Sequence, residues 1–221
     1  MIKDTIIFDL DGTLLNTLED LHACFNKAIT EYGYPKRTLE EIKSFVGNGI
    51  KKAIERALPN NIDEFELNKI VNYFRNYYEQ HMLELTKPYD GIIEMLEVLK
   101  SNNYKLAVVS NKYDAAVKAL CKNYFGKYID IAIGESEGVR KKPEIDGVMK
   151  AIKELNSSID NSIYIGDSDV DIKTAKNVGI PCISVLWGFR DKDFLIQNGG
   201  KLFAEKPKDI IKIIEKKLYL I

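Results

Sequence analysis

Cysteine, histidine and tryptophan are scarce in this chain: three, two and one among 221 residues. Cys24, Cys121 and Cys182 are odd in number, far apart and outside any C-x-x-C arrangement. That excludes a disulfide framework or a zinc site of ordinary spacing and reads as thiols of a reducing compartment. His22 and His81 lack the spacing of a metal cluster and read as surface or packing histidines. Neither sign of charge is in excess, since 32 basic and 33 acidic side chains leave a formal charge of −1. Nothing there calls for nucleic acid or an anionic membrane as partner. No apolar run approaches the ~20 residues that cross a bilayer. The opening MIKDTIIFDLDG meets acidic residues before a signal-peptide core can develop. A cytoplasmic location is expected, and oligomeric state is not legible.

What is present is ordinary for a globular protein: 45% hydrophobic and 29% charged residues. The length lies between one and two domains of roughly 100–200 residues each. Apolar runs at Thr5–Leu10, Lys105–Ser110, Tyr128–Ile133, Ser162–Gly166 and Pro181–Leu186 suit strands buried on both faces of a parallel sheet. Helical stripes separate them: Ile92, Met95, Leu96 and Leu99; Val117, Leu120 and Cys121; Val148, Ile152 and Leu155; Ile172, Ala175 and Val178, stopped by Gly179. A C-terminal stripe follows at Ile210, Ile211, Ile213, Ile214 and Leu218. Strand–helix alternation of this kind predicts an α/β fold with a doubly wound parallel sheet. Residues 17–85 break the alternation and show helical periodicity only, at Leu18, Leu21, Phe25, Ala28 and Ile29, then at Leu67, Ile70, Val71 and Phe74. Thr38 and Glu41 have the spacing of a capping box. The expected division is therefore an α/β domain of residues 1–16 and 86–221 with an all-helical domain, 17–85, inserted after the first strand.

Polar residues fall where such sheets bind ligands, at the carboxyl ends of the strands. Strand one ends in Asp9-Leu10-Asp11, the second in Ser110-Asn111-Lys112 and the fourth in Gly166-Asp167, while Lys142 precedes the helix before that fourth strand. Two carboxylates two residues apart, where a strand gives way to a loop, can serve one cavity as nucleophile and proton donor. Gly12 permits the sharp turn and leaves amides to meet an anion. Singly these signals are weak: an acidic turn, a strand-end turn, a solvated RKKP loop, an acidic helix start favourable to the helix dipole. Their order and their common edge give them weight.

DLDGT, Ser110, Lys142 and GDSDVD together resemble the haloacid-dehalogenase-like hydrolase superfamily, in its branch with a helical cap between the first two motifs. The resemblance spans essentially the whole chain and implies a Rossmann-like core. It implies Asp9 as the group that attacks phosphorus and Asp11 as general acid and base. Ser110 and Lys142 would complete the catalytic set and hold the phosphoryl oxygens, with Thr13 and Asn111 among the phosphate-binding residues. Mg2+ would be held by Asp9, Asp11 through its carbonyl, and Asp167, with Asp171 in support. Phosphoryl transfer asks mainly for alignment and charge neutralisation, which a hard divalent cation and a lysine supply. One departure is visible: Lys142-Pro143-Glu144-Ile145 lacks the second proline usual in this motif.

Asp11 argues against the true dehalogenases, whose halide leaving group needs no proton. Phe45-Val46-Gly47-Asn48-Gly49 resembles the cap loop of phosphoglycolate phosphatases, which would bring Gly47, Asn48 and Gly49 to the substrate; a cap hinge is the plain alternative. The expected activity is hydrolysis of a small phosphorylated metabolite through an aspartyl-phosphate. A β-phosphoglucomutase-like mutase, a pyrophosphatase or nucleotidase of the same superfamily, and an acidic-pocket binding or signalling module are the alternatives. Trp187 reads as core packing or a loop anchor.

Overall fold

A computed structural model describes residues 4–218, the side chains of Lys217 and Leu218 excepted. In chain order the elements are β1 (Thr5–Phe8), β2 (Leu15–Asn16), α1 (Leu18–Glu31), α2 (Leu39–Phe45), α3 (Ile50–Ala57), α4 (Glu64–His81), β3 (Lys87–Pro88), α5 (Ile92–Ser101) and β4 (Lys105–Tyr113). They continue with α6 (Asp114–Phe125), β5 (Ile131–Glu135), α7 (Asp146–Glu154), β6 (Ser162–Gly166), α8 (Asp169–Val178), β7 (Cys182–Val185), α9 (Lys192–Gln197), β8 (Leu202–Ala204) and α10 (Pro207–Leu218). The chain forms two compact units, one of residues up to Leu15 and from Pro88 onward, the other Asn16–Lys87.

The first unit is built on a six-stranded sheet in the order β5-β4-β1-β6-β7-β8, each neighbouring pair parallel. Parallel neighbours need a crossover connection, and helices supply it on both faces, so the sheet is buried and the middles of its central strands are apolar. Ile6, Ile7, Phe8, Leu106, Ala107, Val108 and Ile165 are all fully buried. The order reverses at β1, the switch point where such sheets bind ligands. In register Phe8 faces Val108 on one side and Ile165 on the other. Asp9, Ser110 and Asp167 therefore emerge at nearly one level along three adjacent strands.

The expected apolar stripes are the buried faces of α5, α6, α7 and α8, and Gly179 ends α8 at φ +84°. Ile210 and Ile214 of the C-terminal stripe are buried, and Leu218 lies outside the described side chains. Two readings of the sheet need correction. β5 starts at Ile131, not Tyr128, because the amides of Tyr128 and Ile129 close the last turn after α6 onto the Phe125 carbonyl. β8 went unrecognised, being three residues long at a sheet edge.

The second unit is helical, and α1 through α4 bury the two expected stripes. Thr38 and Glu41 do close a capping box on α2, and Asp63 caps α4 through the amides of Phe65 and Glu66. β2 and β3 form a two-stranded sheet of their own. Cys24 and Cys121 are buried free thiols and Cys182 a partly buried one; burial pushes the Cys121 thiol up to about 12, so it is unreactive near neutral pH. His22 is tied to Asn26 and the Arg37 carbonyl, and His81 stacks on Tyr77. No helix among the described residues is long and apolar enough to cross a membrane.

Candidate active site

Asp9 follows β1 directly, and its amide donates to the Ile165 carbonyl, 2.9 Å away, which pins the strand end against β6. Its Oδ1 accepts from the Leu10 amide at 2.7 Å and from Lys142 Nζ at 3.0 Å. Lys142 leaves the loop between β5 and α7, preceding a cis peptide to Pro143. Its ammonium also meets Asp171 Oδ1 at 2.7 Å and the Tyr164 hydroxyl at 3.0 Å, so all three of its protons have partners. Burial works to lower the Lys142 pKa, but the carboxylates of Asp171 and Asp9 outweigh it and hold the ammonium charged well above its usual range. The Tyr164 hydroxyl in turn donates a hydrogen bond to the Val109 carbonyl at 3.0 Å.

Asp167 follows β6 in the same way. Its Oδ1 accepts from the Thr13 hydroxyl at 3.0 Å and its Oδ2 from the Phe189 amide at 2.8 Å. Each oxygen keeps a further lone pair. The backbone packs closely here. A Cβ on Gly12, at φ +80°, would collide with the Asp167 carboxylate, one on Gly188 with the Asp167 side chain, and one on Gly166 with Asp171. Trp187 anchors the loop after β7 by donating its indole N–H to the Thr13 carbonyl at 2.9 Å.

Several expected site residues also hold the site together. The Thr13 hydroxyl donates to Asp167 and so orients that carboxylate. The Asn111 side chain clamps the backbone of Lys142, accepting from its amide at 2.7 Å and donating to its carbonyl at 3.1 Å. Asn111 therefore fixes the lysine loop. Asp171 joins Lys142 through Oδ1 and the Ser168 amide and hydroxyl through Oδ2, closing the capping box of α8. It holds Lys142 and the helix start, with both of its oxygens already engaged. Ser110 is buried and its hydroxyl accepts from the Lys112 amide at 3.3 Å. Gly47, Asn48 and Gly49 lie in the helical unit between α2 and α3, with φ of +111° at Gly47 and +83° at Gly49. The neighbouring cations are engaged locally: Lys51 with Glu64, Lys52 with Glu55, Arg56 with the Phe45 carbonyl. Tyr164 is not singled out by the sequence, and Lys112 stands there only as part of the polar strand end Ser110-Asn111-Lys112, with no role of its own. Their one signal is a polar group in a segment otherwise apolar or already assigned.

Electrostatically the cluster is unbalanced. Asp9, Asp11, Asp167 and Asp171 face two ammonium groups, Lys142 and Lys112, the latter 3.1 Å from Asp11 Oδ2. With every carboxyl ionised the site is two positive charges short. Burial raises the Asp9 carboxyl most; Lys142 opposes it, the charges of Asp171, Asp167 and Asp11 add to it, and Asp9 reaches about 8. Burial and then Asp171 push Asp167 to about 7 against the Phe189 amide, the Thr13 hydroxyl and Lys142. One carboxylate oxygen from each of Asp9, Asp167 and Asp171 lies within 4.8 Å of the others. Oxygen donors with a deficit of two charges fit a hard divalent cation.

A DxD strand end, a serine and lysine on the adjoining segments, and an acid-capped helix, all at one sheet edge, define a phosphoryl-transfer type of site. Residues 6–185 match the sequence profile of the family described as haloacid dehalogenase-like hydrolase. The phosphoglycolate phosphatase of Aquifex aeolicus is 31% identical over 212 residues, covering 95% of this chain and 96% of the relative. The pyrophosphatase PpaX of Listeria monocytogenes serotype 4a is 31% identical over 213 residues, with 95% of each chain covered. A crystal structure from Lactobacillus delbrueckii subsp. bulgaricus, provisionally assigned as a phosphoglycolate phosphatase, superposes with a TM-score of 0.93 at 34% identity, covering 97% of this chain and 99% of that one. The chain belongs to the haloacid dehalogenase-like hydrolases, and it is a phosphatase of that family.

Proposed function

We propose that this phosphatase hydrolyses a small phosphomonoester, of the phosphoglycolate kind, through an aspartyl-phosphate on Asp9 and with Mg2+ at the Asp9–Asp167 cluster. The observation that carries the reading is the group of four carboxylates and two lysines gathered where β1, β4 and β6 end, from those strand ends, the loop before α7 and the start of α8, two positive charges short when every carboxyl is ionised. Asp9, Asp167 and the Asp11 carbonyl would hold the cation, which when bound offsets the negative charge of carboxylates and phosphate alike.

The chemistry follows from the side chains. With Oδ1 held by Leu10 and Lys142, the Asp9 carboxylate is aligned to form a bond to phosphorus as the ester P–O bond breaks. The leaving oxygen keeps the bonding electron pair and takes a proton from the Asp11 carboxyl. In the second displacement a water oxygen bonds to phosphorus and gives its proton to the Asp11 carboxylate. The P–O bond to Asp9 then breaks, releasing phosphate and restoring the nucleophile. Ser110 and Lys142 bear on the phosphoryl oxygens. Asp171, Tyr164 and Asn111 keep Lys142 in place by the contacts above.

Gly47, Asn48 and Gly49 of the helical unit are read as amide donors to the substrate's second anionic group. The phosphoglycolate phosphatase relative supports that choice of substrate, and the pyrophosphatase relative at equal identity favours inorganic pyrophosphate as a second reading. The partner is then a small phosphorylated metabolite of the cytoplasm. Phosphate release from phosphoglycolate, pyrophosphate, nucleoside monophosphates and sugar phosphates, with Mg2+ and with chelator, tests this. Preference for phosphoglycolate bears it out; preference for pyrophosphate selects the second reading; turnover undiminished by chelator contradicts both.

A further inference from the structure

Lys112 has no part in the scheme so far, yet its side chain is buried at 6% exposure with its ammonium 3.1 Å from Asp11 Oδ2. A buried ammonium keeps its charge only beside a negative partner, and such a pair fixes the rotamers of both members. Asp11 is the more exposed of the two, at 20%, as a group that must meet substrate and water should be.

Two features of the sheet hold Lys112 there. The register of β4 against β5 shifts between Val109 and Tyr113, and an irregularity of this kind re-aims the side chains of the strand that carries it. Asn111 turns to the Lys142 backbone, while the Lys112 amide donates to Ser110 Oγ and its side chain reaches Asp11. Opposite, β5 carries glycine at position 134, where a Cβ would stand 2.6 Å from the Lys112 carbonyl oxygen and 2.7 Å from the Asp114 nitrogen. The Gly134 amide donates to the Asp114 carboxylate at 3.0 Å. The two strands thus approach at the one place where Lys112 is set.

We propose that Lys112 is the positioning residue for Asp11, holding its carboxyl where the proton passes to the leaving oxygen and later comes back from water. The proposal rests on the reading of Asp11 as the proton carrier, and the test separates the two.

The test compares alkyl phosphates, phosphoglycolate and glycerol phosphate, whose alkoxides must be protonated as they leave, with p-nitrophenyl phosphate, whose phenolate leaves without a proton. Wild type, Lys112→Met, Lys112→Arg and Asp11→Asn are assayed with Mg2+. A well-placed acid contributes about 10²–10⁴-fold. Lys112→Met should therefore lose about 10- to 100-fold in kcat/KM on the alkyl esters and under about threefold on the aryl ester. Its kcat should fall on both, because Asp11 also receives the proton of the attacking water. Lys112→Arg should restore most of the alkyl activity. The alkyl-to-aryl ratio within one preparation is independent of how much protein is folded, so an unstable variant still reports. Equal losses of kcat/KM on both ester classes in Lys112→Met, with a selective loss in Asp11→Asn, would overturn the positioning role alone. Equal losses in Asp11→Asn itself would overturn the reading of Asp11, and this proposal with it.

Discussion

In the helical unit Asp20 and Asn26 are as buried as Asp9 and Asp167 are in the α/β unit, at 2% and 8% exposure against 9% and 1%. Their surroundings differ in kind. The Asp20 carboxylate accepts from the amides of Leu85 and Thr86, and Asn26 satisfies both the amide and the carbonyl of Arg37. These side chains complete a backbone that the helices leave unpaired, which is what most buried polar groups do. Around Asp9 the carboxylates face one another, and two lysines do not balance them. Depth of burial is thus common to both regions, and the unbalanced charge is what separates a site from a brace.

That contrast can be broken experimentally. Asp9→Asn should abolish phosphate release, by about 10⁴-fold or more, while the thermal midpoint of the magnesium-free protein stays level or rises because one surplus charge is gone. A stopped-time phosphate assay beside a melting curve reads both effects; a folded, fully active variant would remove the nucleophile from the account. Asp167→Asn should raise the magnesium concentration for half-maximal rate by at least about 100-fold. A titration curve superposable on that of wild type would take Asp167 out of the metal's reach.

The helical unit should answer in the opposite sense. Asn26→Leu takes the side-chain acceptor from the Arg37 amide, the carbonyl keeping His22, and should lower stability by about 1–3 kcal/mol, with kcat changed less than threefold or so on that scale. Urea denaturation and steady-state assays check it, and a large drop in kcat at unchanged stability would erase the distinction drawn here.

A further effect is a slope with pH. Asp9 and Asp167 titrate at about 8 and about 7 in the folded protein, against about 4 for an unfolded carboxylate. The folded state therefore binds protons more tightly, and that contribution, complete below about pH 4, is lost as pH rises through the folded values. Without magnesium the melting temperature should decline across this window, and magnesium should flatten the decline. A midpoint that climbs over the same range would contradict it.

The sequence was a good guide where local pattern decides the outcome. Apolar runs become β1, β4, β6 and β7 because a parallel sheet buries both faces, and Thr38 with Glu41 caps α2 because that bond spans only three residues. The strand-end acids and Ser110 stand at the close of readable elements, and Lys142 stands shortly before one. What was not legible depends on partners far apart in the chain. Thr13 meets Asp167 across 154 positions, Asn111 meets Lys142 across 31, and Tyr164 meets Lys142 across 22. Residue type alone could not name these partners, a carboxylate, a backbone and an ammonium, because the fold brings them together.

The most direct test is to trap the phosphorylated enzyme. Asp11→Asn removes the group that receives the proton of the attacking water, so p-nitrophenyl phosphate with Mg2+ should load it faster than water unloads it. Intact mass and peptide mapping should then show one phosphoryl group, carried by Asp9, absent with chelator and absent when Asp9→Asn is added. A phosphoryl group on another residue, or continued turnover in the doubly substituted protein, would contradict the account.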